Sequence, residues 1–206
     1  METERLQLRP WREEDAEELY RLASDPEVGP RAGWSPHRNI GESREVIRTL
    51  LNNDHTWAIR LGRRQPACEK MERRQPACEN MERRQPACEN STSPIVGCIC
   101  YYLPCESNIG IGPHDAEVGY WVGRPWWNQG IATEALRLII DYCFIEKGFH
   151  TLWADHFPDN PASGRVLQKC GFRDTGRQNL ISHLAIGADR PVKVMRLDRS
   201  TSNHKE

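Results

Sequence analysis

No stretch of the 206-residue chain approaches the ~18 consecutive apolar residues that a membrane-spanning helix needs. The opening METERLQLRP is charged and holds no apolar segment of the secretory kind, so a cytoplasmic chain without a signal peptide is expected. Charge of one sign is also missing. Lysine and arginine total 28 against 29 acidic residues, and a formal net charge of −1 offers no field for nucleic acid or an anionic membrane. Without export, the 8 cysteines read as reduced thiols rather than a disulfide framework. None of them sits in a Cys–His nucleophile setting, which disfavours a covalent cysteine intermediate. Two phosphate-binding signatures are missing too: there is no GxxxxGK[ST], and no GxGxxG follows the first strand.

What is present is a chain of ordinary globular composition, 38% hydrophobic and 28% charged, of a length that suits one domain. Three near-identical decamers interrupt it: RRQPACEKME (63–72), RRQPACENME (73–82) and RRQPACENST (83–92). They carry no aromatic side chain and no aliphatic larger than methionine, so they lack the apolar face that stacked repeats bury on their neighbours. Pro66, Pro76 and Pro86 rule out one continuous helix. Cys68, Cys78 and Cys88 are too widely spaced for the close cysteine pairs of zinc motifs and have no histidine among them, so no metal site is expected. An expanded surface loop, with the near-identity of the copies pointing to in-frame duplication, is the reading.

Around this insertion strands and helices mix. RLQLRPW (5–11) alternates like a strand, and 12–23 follows with Leu19, Leu22 and Ala23 at helical spacing. Residues 41–53 read as a second helix. TWAIRL (56–61) and PIVGCICYYL (94–103) read as strands of a hairpin whose loop the repeats occupy. A strand is expected over 115–123, a long buried helix over 130–146 and a strand over 150–157. A short helix over 160–171 follows, with Asn160 as cap, Pro161 at its first position and Gly171 at its end. Two closing strands complete an α+β (α/β) single domain with one central mixed sheet and about four helices.

The stretch RPWWNQGIATEAL (124–136) leads out of a strand and into a helix. The first amides of such a helix lack internal partners and its dipole is positive there, so a diphosphate would bind against Gly130 to Thr133. Taken with NPASGRVLQKCGF (160–172), EVGYWV (117–122) and the opening RLQLRPWREEDAEELYRL, this turn resembles the GCN5-related N-acetyltransferase (GNAT) family. The likeness is nearest to its RimJ/RimL-like branch, which acetylates ribosomal-protein N-termini. The resemblance spans the chain except residues 62–93 and the tail.

What the resemblance implies is a domain over 1–200, interrupted at 62–93 and followed by a tail at 201–206, with a sheet splayed into a V. Acetyl-CoA would be the cosubstrate, and no metal is called for. Main-chain amides of Trp127, Asn128, Gln129, Gly130, Ile131, Ala132 and Thr133 would hold the coenzyme diphosphate. An amide near Val122 would polarise the thioester carbonyl. Asn160 would touch the cofactor or order the slot. Direct transfer of acetyl to a primary amine follows. A protein N-terminus is the first acceptor, and a small amine such as an aminoglycoside, polyamine or amino acid the alternative. A CoA-binding sensor or scaffold without catalysis is a third reading, as is an interaction role for the repeats. A monomer or homodimer is expected, with no nucleic-acid or membrane partner.

Two positions depart from the family pattern. Trp127 stands where many relatives have Gln or Arg. Leu167 stands where many carry the tyrosine that protonates the departing thiolate, which leaves Ser163, water or unaided departure; a thiol pKa near ~8.5 makes the thiolate a tolerable leaving group. Glu117 is ranked first as base, with Asp155 and His156 as alternatives, of which strand alternation allows only one into the slot. The segment GWSPHRN (33–39) is a further candidate for lining the acceptor groove, through His37 and Arg38.

Overall fold

The computed structural model describes residues 1–62, 93–183 and 187–199. The reading of the three decamers and of the 201–206 tail lies outside those residues. One seven-stranded sheet organises the described chain. Its strands are β1 (Leu6–Pro10), β2 (Thr56–Leu61), β3 (Ile95–Tyr102), β4 (Asp115–Val122), β5 (Thr151–His156), β6 (Arg173–His183) and β7 (Ala188–Asp198). Their spatial order is β1-β2-β3-β4-β5-β7-β6. The apolar run IVGCIC makes β3 a central strand, buried on both faces from Ile95 to Tyr101.

The helices α1 (Ala16–Ala23), α2 (Val28–Ala32) and α3 (Ile40–Val46) cover one face, where Trp11, Leu19, Leu22 and Ile47 pack with Ala58, Ile95 and Cys98. The helices α4 (Ile131–Asp141) and α5 (Pro161–Lys169) cover the other, where Ile131, Ala135, Leu136, Ile139 and Leu167 meet Leu8, Ile59, Ile99, Val118, Leu152 and Ala154. A third cluster, Ile109, Phe157, Val192 and Val194, sits under the closing hairpin. Arg9 and Asp15 make a two-pronged ion pair, Nη1 to Oδ2 at 2.7 Å and Nη2 to Oδ1 at 2.6 Å, which ties β1 to the start of α1.

The described residues hold five α-helices, in line with the about four expected plus one short element. The extra one, α2, lies between the helices read from sequence over 12–23 and 41–53; it is one turn and a half, and sequence periodicity cannot register so short an element. The helices expected over 41–53 and 130–146 both close in π turns: α3 runs on into one at Ile47–Leu51 and α4 into another at Tyr142–Glu146. The hairpin expected around the repeats is present, with Thr56 opposite Cys100 and Trp57 opposite Ile99.

All neighbouring strands run antiparallel except β4 and β5, whose crossover is supplied by α4. That parallel pairing is short: Asp115 to Thr151, Ala116 to Leu152 and Glu117 to Trp153. Beyond Glu117, β4 stays with β3 as far as Val122, while β5 stays with β7 as far as His156. The sheet therefore opens into a V between β4 and β5, and everything that follows depends on that opening.

Candidate functional site

The amide of Gly123 donates to Val96 O on β3 at 2.8 Å. Alternation then turns the main-chain groups of Val118, Tyr120 and Val122 away from β3 and toward the opening left by β5. The Val122 amide, singled out from sequence, is on that side; its carbonyl accepts from the Trp127 indole at 2.7 Å.

At the end of β4 the chain makes one 3₁₀ turn (Arg124–Trp126) and enters the loop that opens α4. Asn128 is the only non-glycine among the described residues with a positive φ, at 60°, and Gly130 follows at 78°. These two left-handed residues turn the loop's N–H groups inward, the geometry of an anion-binding nest. The amides of residues 128 to 133 donate to no described atom; pairing resumes only at Glu134, which bonds Gly130 O at 3.0 Å. Trp127 differs from the expectation. Its own amide is taken by Arg124 O at 3.2 Å, and its ring is fixed beneath the Arg31 guanidinium at 5.2 Å. Trp127 braces the loop instead of presenting an N–H, so the free run is six amides, beginning one residue later. Ile131 belongs to the core, which anchors the first helical turn.

Across the opening, Asn160 caps α5 through Oδ1, which accepts from Ser163 N at 3.4 Å, and its Nδ2 donates to Arg31 O at 3.2 Å. Both ends of the amide are engaged within the protein, which favours the ordering role over contact with the cofactor. Leu167 is fully buried against α4 and cannot reach the opening as a donor. Ser163 is placed differently. Its hydroxyl lies 3.0 Å from the hydroxyl of Tyr120, which also contacts Ser163 O at 3.0 Å. Burial pushes the Tyr120 phenol well above its usual range, so the group keeps its proton. Tyr120 escaped the sequence reading. Alternation along β4 puts it on the α5 face, but its partner is 43 residues away and nothing local marks the pairing.

Three sequence candidates for the base separate in space. Glu117 is 7% exposed and accepts from Ser107 Oγ at 2.7 Å; burial raises its carboxyl against that hydrogen bond. Parallel pairing of Glu117 with Trp153 puts Asp155 on the same face, one step further up the other arm. Burial, and then the charge of Glu117, raise Asp155 to about 7. His156 points the opposite way: its Nδ1 faces Phe157 O at 2.9 Å and its ring packs on Gly164, where a β-carbon would come within 2.8 Å of it.

The face shared by Glu117 and Asp155 is the one beneath α1–α3. Trp34 crosses Trp121 edge-on there at 5.7 Å and also packs on His37. His37 bonds the Ser43 hydroxyl at 2.8 Å, and Arg38 pairs with Glu42 at 3.2 Å. The nearby acids are spoken for as well. Glu27 pairs with Arg31 at 3.3 Å and Arg124 at 3.4 Å, and Asp159 pairs with Arg190 at 2.7 Å. Among the described residues no group of three His, Cys, Asp or Glu is placed to hold a metal ion, and no helix is long and apolar enough to cross a membrane.

Comparison with known proteins matches residues 5–173 to the family model described as an acetyltransferase (GNAT) domain. An uncharacterized N-acetyltransferase, p20, of Bacillus licheniformis is 27% identical over 174 residues, which is 84% of this chain and 82% of the relative. The ribosomal protein uS5 alanine N-acetyltransferase of Escherichia coli is 33% identical over 63 residues, 31% of this chain and 32% of that protein. A spermidine N-acetyltransferase from Vibrio cholerae, solved with CoA and spermine, superimposes with a TM-score of 0.65 at 15% identity, over 96% of this chain and 98% of that one.

Proposed function

The chain belongs to the GNAT acetyltransferase family and so is an N-acetyltransferase that uses acetyl-CoA, and from that premise we propose that its acceptor is a protein N-terminal amine. The site fits the coenzyme: six consecutive free amides at the mouth of a V-shaped opening suit a diphosphate, and the free edge of β4 suits an extended amide chain. In this reading the amides of Asn128 to Thr133 bind the phosphates and Trp127 stiffens the loop.

The acceptor assignment is carried by one observation: Glu117 and Asp155 share a face of the opening, while the acids around them, Glu27 and Asp159, are neutralised by arginines. The site offers a place for one ammonium group between aromatic walls. A polycation such as a polyamine or aminoglycoside would meet Glu27 and Asp159 already paired with arginines. The partial identity with the uS5 alanine N-acetyltransferase points the same way.

The reaction is direct. Asp155, poised near neutrality, takes a proton from the incoming ammonium, and the neutral amine attacks the thioester carbonyl. A free α-amine, with a pKa near ~8, asks little of such a base. The Val122 amide faces the developing oxyanion. Ser163, hydrogen-bonded to Tyr120, supports the departing thiolate in place of a residue-167 tyrosine. Burial and then the charge of Glu117 hold Asp155 in its raised range, and Glu117 anchors the base of the slot through Ser107.

The test is a panel of acceptors with purified protein and acetyl-CoA: peptides with free Ala or Ser N-termini, N-blocked lysine peptides, spermidine and an aminoglycoside, read by mass spectrometry. Acetylation of the free N-termini is expected. Preferential acetylation of spermidine or the aminoglycoside would reverse the acceptor assignment, and thioester stability with every amine would remove it.

A further inference from the structure

The phosphate loop has a feature that its own sequence works against. Residues 127–133 contain no lysine or arginine, and the first turn of α4 carries an acid, Glu134, that would repel an anion at the amides. That acid is not bare. The segment before β1 folds back on itself, with Thr3 N bonded to Leu6 O at 2.8 Å, and lays Arg5 and Thr3 across the start of α4. Arg5 Nε donates to Glu134 Oε2 at 2.8 Å and Arg5 Nη2 to the same oxygen, while the Thr3 hydroxyl takes Oε1. Arg5 Nη1 reaches Gln129 O at 3.5 Å. A β-carbon on Gly130 would lie 3.6 Å from Arg5 Nη2, so the guanidinium flanks the left-handed residue at the centre of the free amides.

We propose that Arg5 is a phosphate-binding residue of this enzyme, contributed by the N-terminal strand to a loop that lacks a cation of its own. The proposal rests on the reading of residues 128–133 as the coenzyme cradle. A guanidinium has five N–H donors. Glu134 and Gln129 use three, which leaves one on each Nη nitrogen beside the cradle. Glu134 thereby changes role: it fixes the fork of Arg5 and gives up its own negative field. The Arg5 side chain is 57% exposed, open to a ligand approaching from solvent. Its ligand is a phosphate of the coenzyme, either the diphosphate or the ribose 3′-phosphate.

Calorimetric titration with CoA and with dephospho-CoA, on the full chain and on Arg5→Gln and Arg5→Lys, tests this. For Arg5→Gln the Kd for CoA should rise about tenfold, the scale of a lost charge-assisted hydrogen bond, and Arg5→Lys should fall between. A penalty that persists with dephospho-CoA assigns the diphosphate; one that vanishes assigns the 3′-phosphate. To separate phosphate binding from mere bracing of Glu134, turnover of S-acetylpantetheine, which has no phosphate, is measured alongside, and it should match the parent. Binding of CoA by Arg5→Gln within twofold of the parent, or an equal loss with S-acetylpantetheine, overturns the proposal. If Arg5→Gln does not fold, Arg5→Lys alone decides by the same two comparisons. Failure of the parent itself to bind CoA would instead sink the reading of the cradle.

Discussion

Asp155 and Glu117 face the same side of the opening from different strands, and two carboxylates so placed resist ionising together. In the unfolded chain an aspartate ionises near ~3.9, whereas folded Asp155 is raised to about 7. Between those values the folded state holds a proton that the unfolded chain has lost, so this residue's contribution to stability declines as pH rises through that window. Asp155→Asn should therefore raise the melting temperature more at pH 8 than at pH 5. The same variant should lower kcat by ~10²-fold if Asp155 is the base. Thermal unfolding and steady-state kinetics at the two pH values check both halves; undiminished kcat would return the role to Glu117 or to water. Glu117→Gln removes the charge beside Asp155, so the acidic limb of the kcat/KM profile should move to lower pH. Tyr120→Phe leaves the Ser163 hydroxyl without its partner at 3.0 Å. A fall in kcat with little change in the KM for acetyl-CoA is the expected split, and a change in KM alone would make the pair a brace for α5.

At the scale of elements, the loop-to-helix turn depends on backbone angles that side chains resist. Gly130 is at φ 78°, and alanine there costs ~1–2 kcal/mol. Gly130→Ala should lower stability by that amount and raise the KM for acetyl-CoA, since relaxation of φ would turn the amides away; unchanged KM in a folded variant would show that the amides do not grip the coenzyme. The element-level pattern was readable because it is local: Pro161 and Asn160 announce α5, alternating residues announce β1, and the short run TWAIRL announces β2. The helix α2 was not readable, because five residues show no period, and its Gly29 is required by the close approach of Trp34, a contact made in space.

For the whole molecule, the three decamers join strands whose pairing is complete without them. Leu61 N bonds Pro94 O at 3.2 Å, and Arg60 Nε bonds Ser93 O at 2.7 Å. Replacing residues 63–92 by an Asn-Gly turn should leave the melting temperature equal or higher, since a shorter loop costs less closure entropy. Acetyl transfer should persist; its loss in a folded variant would give the repeats a part in the site.

The sequence by itself determined the strands and the four longer helical stretches, that a glycine turn opens α4, and that Leu167 cannot serve as an acid, because these follow from nearest neighbours, periodicity and side-chain chemistry. It ranked Glu117 first as base and left Asp155 and His156 as alternatives. Only the tertiary structure separated them, by ending the β4–β5 pairing at Glu117 and Trp153 so that Asp155 shares the face of Glu117 while His156 turns to α5. The same holds for Tyr120 beside Ser163 and Arg5 beside Gly130, pairs 43 and ~125 residues apart whose proximity is a property of sheet order and helix placement, which no local pattern encodes.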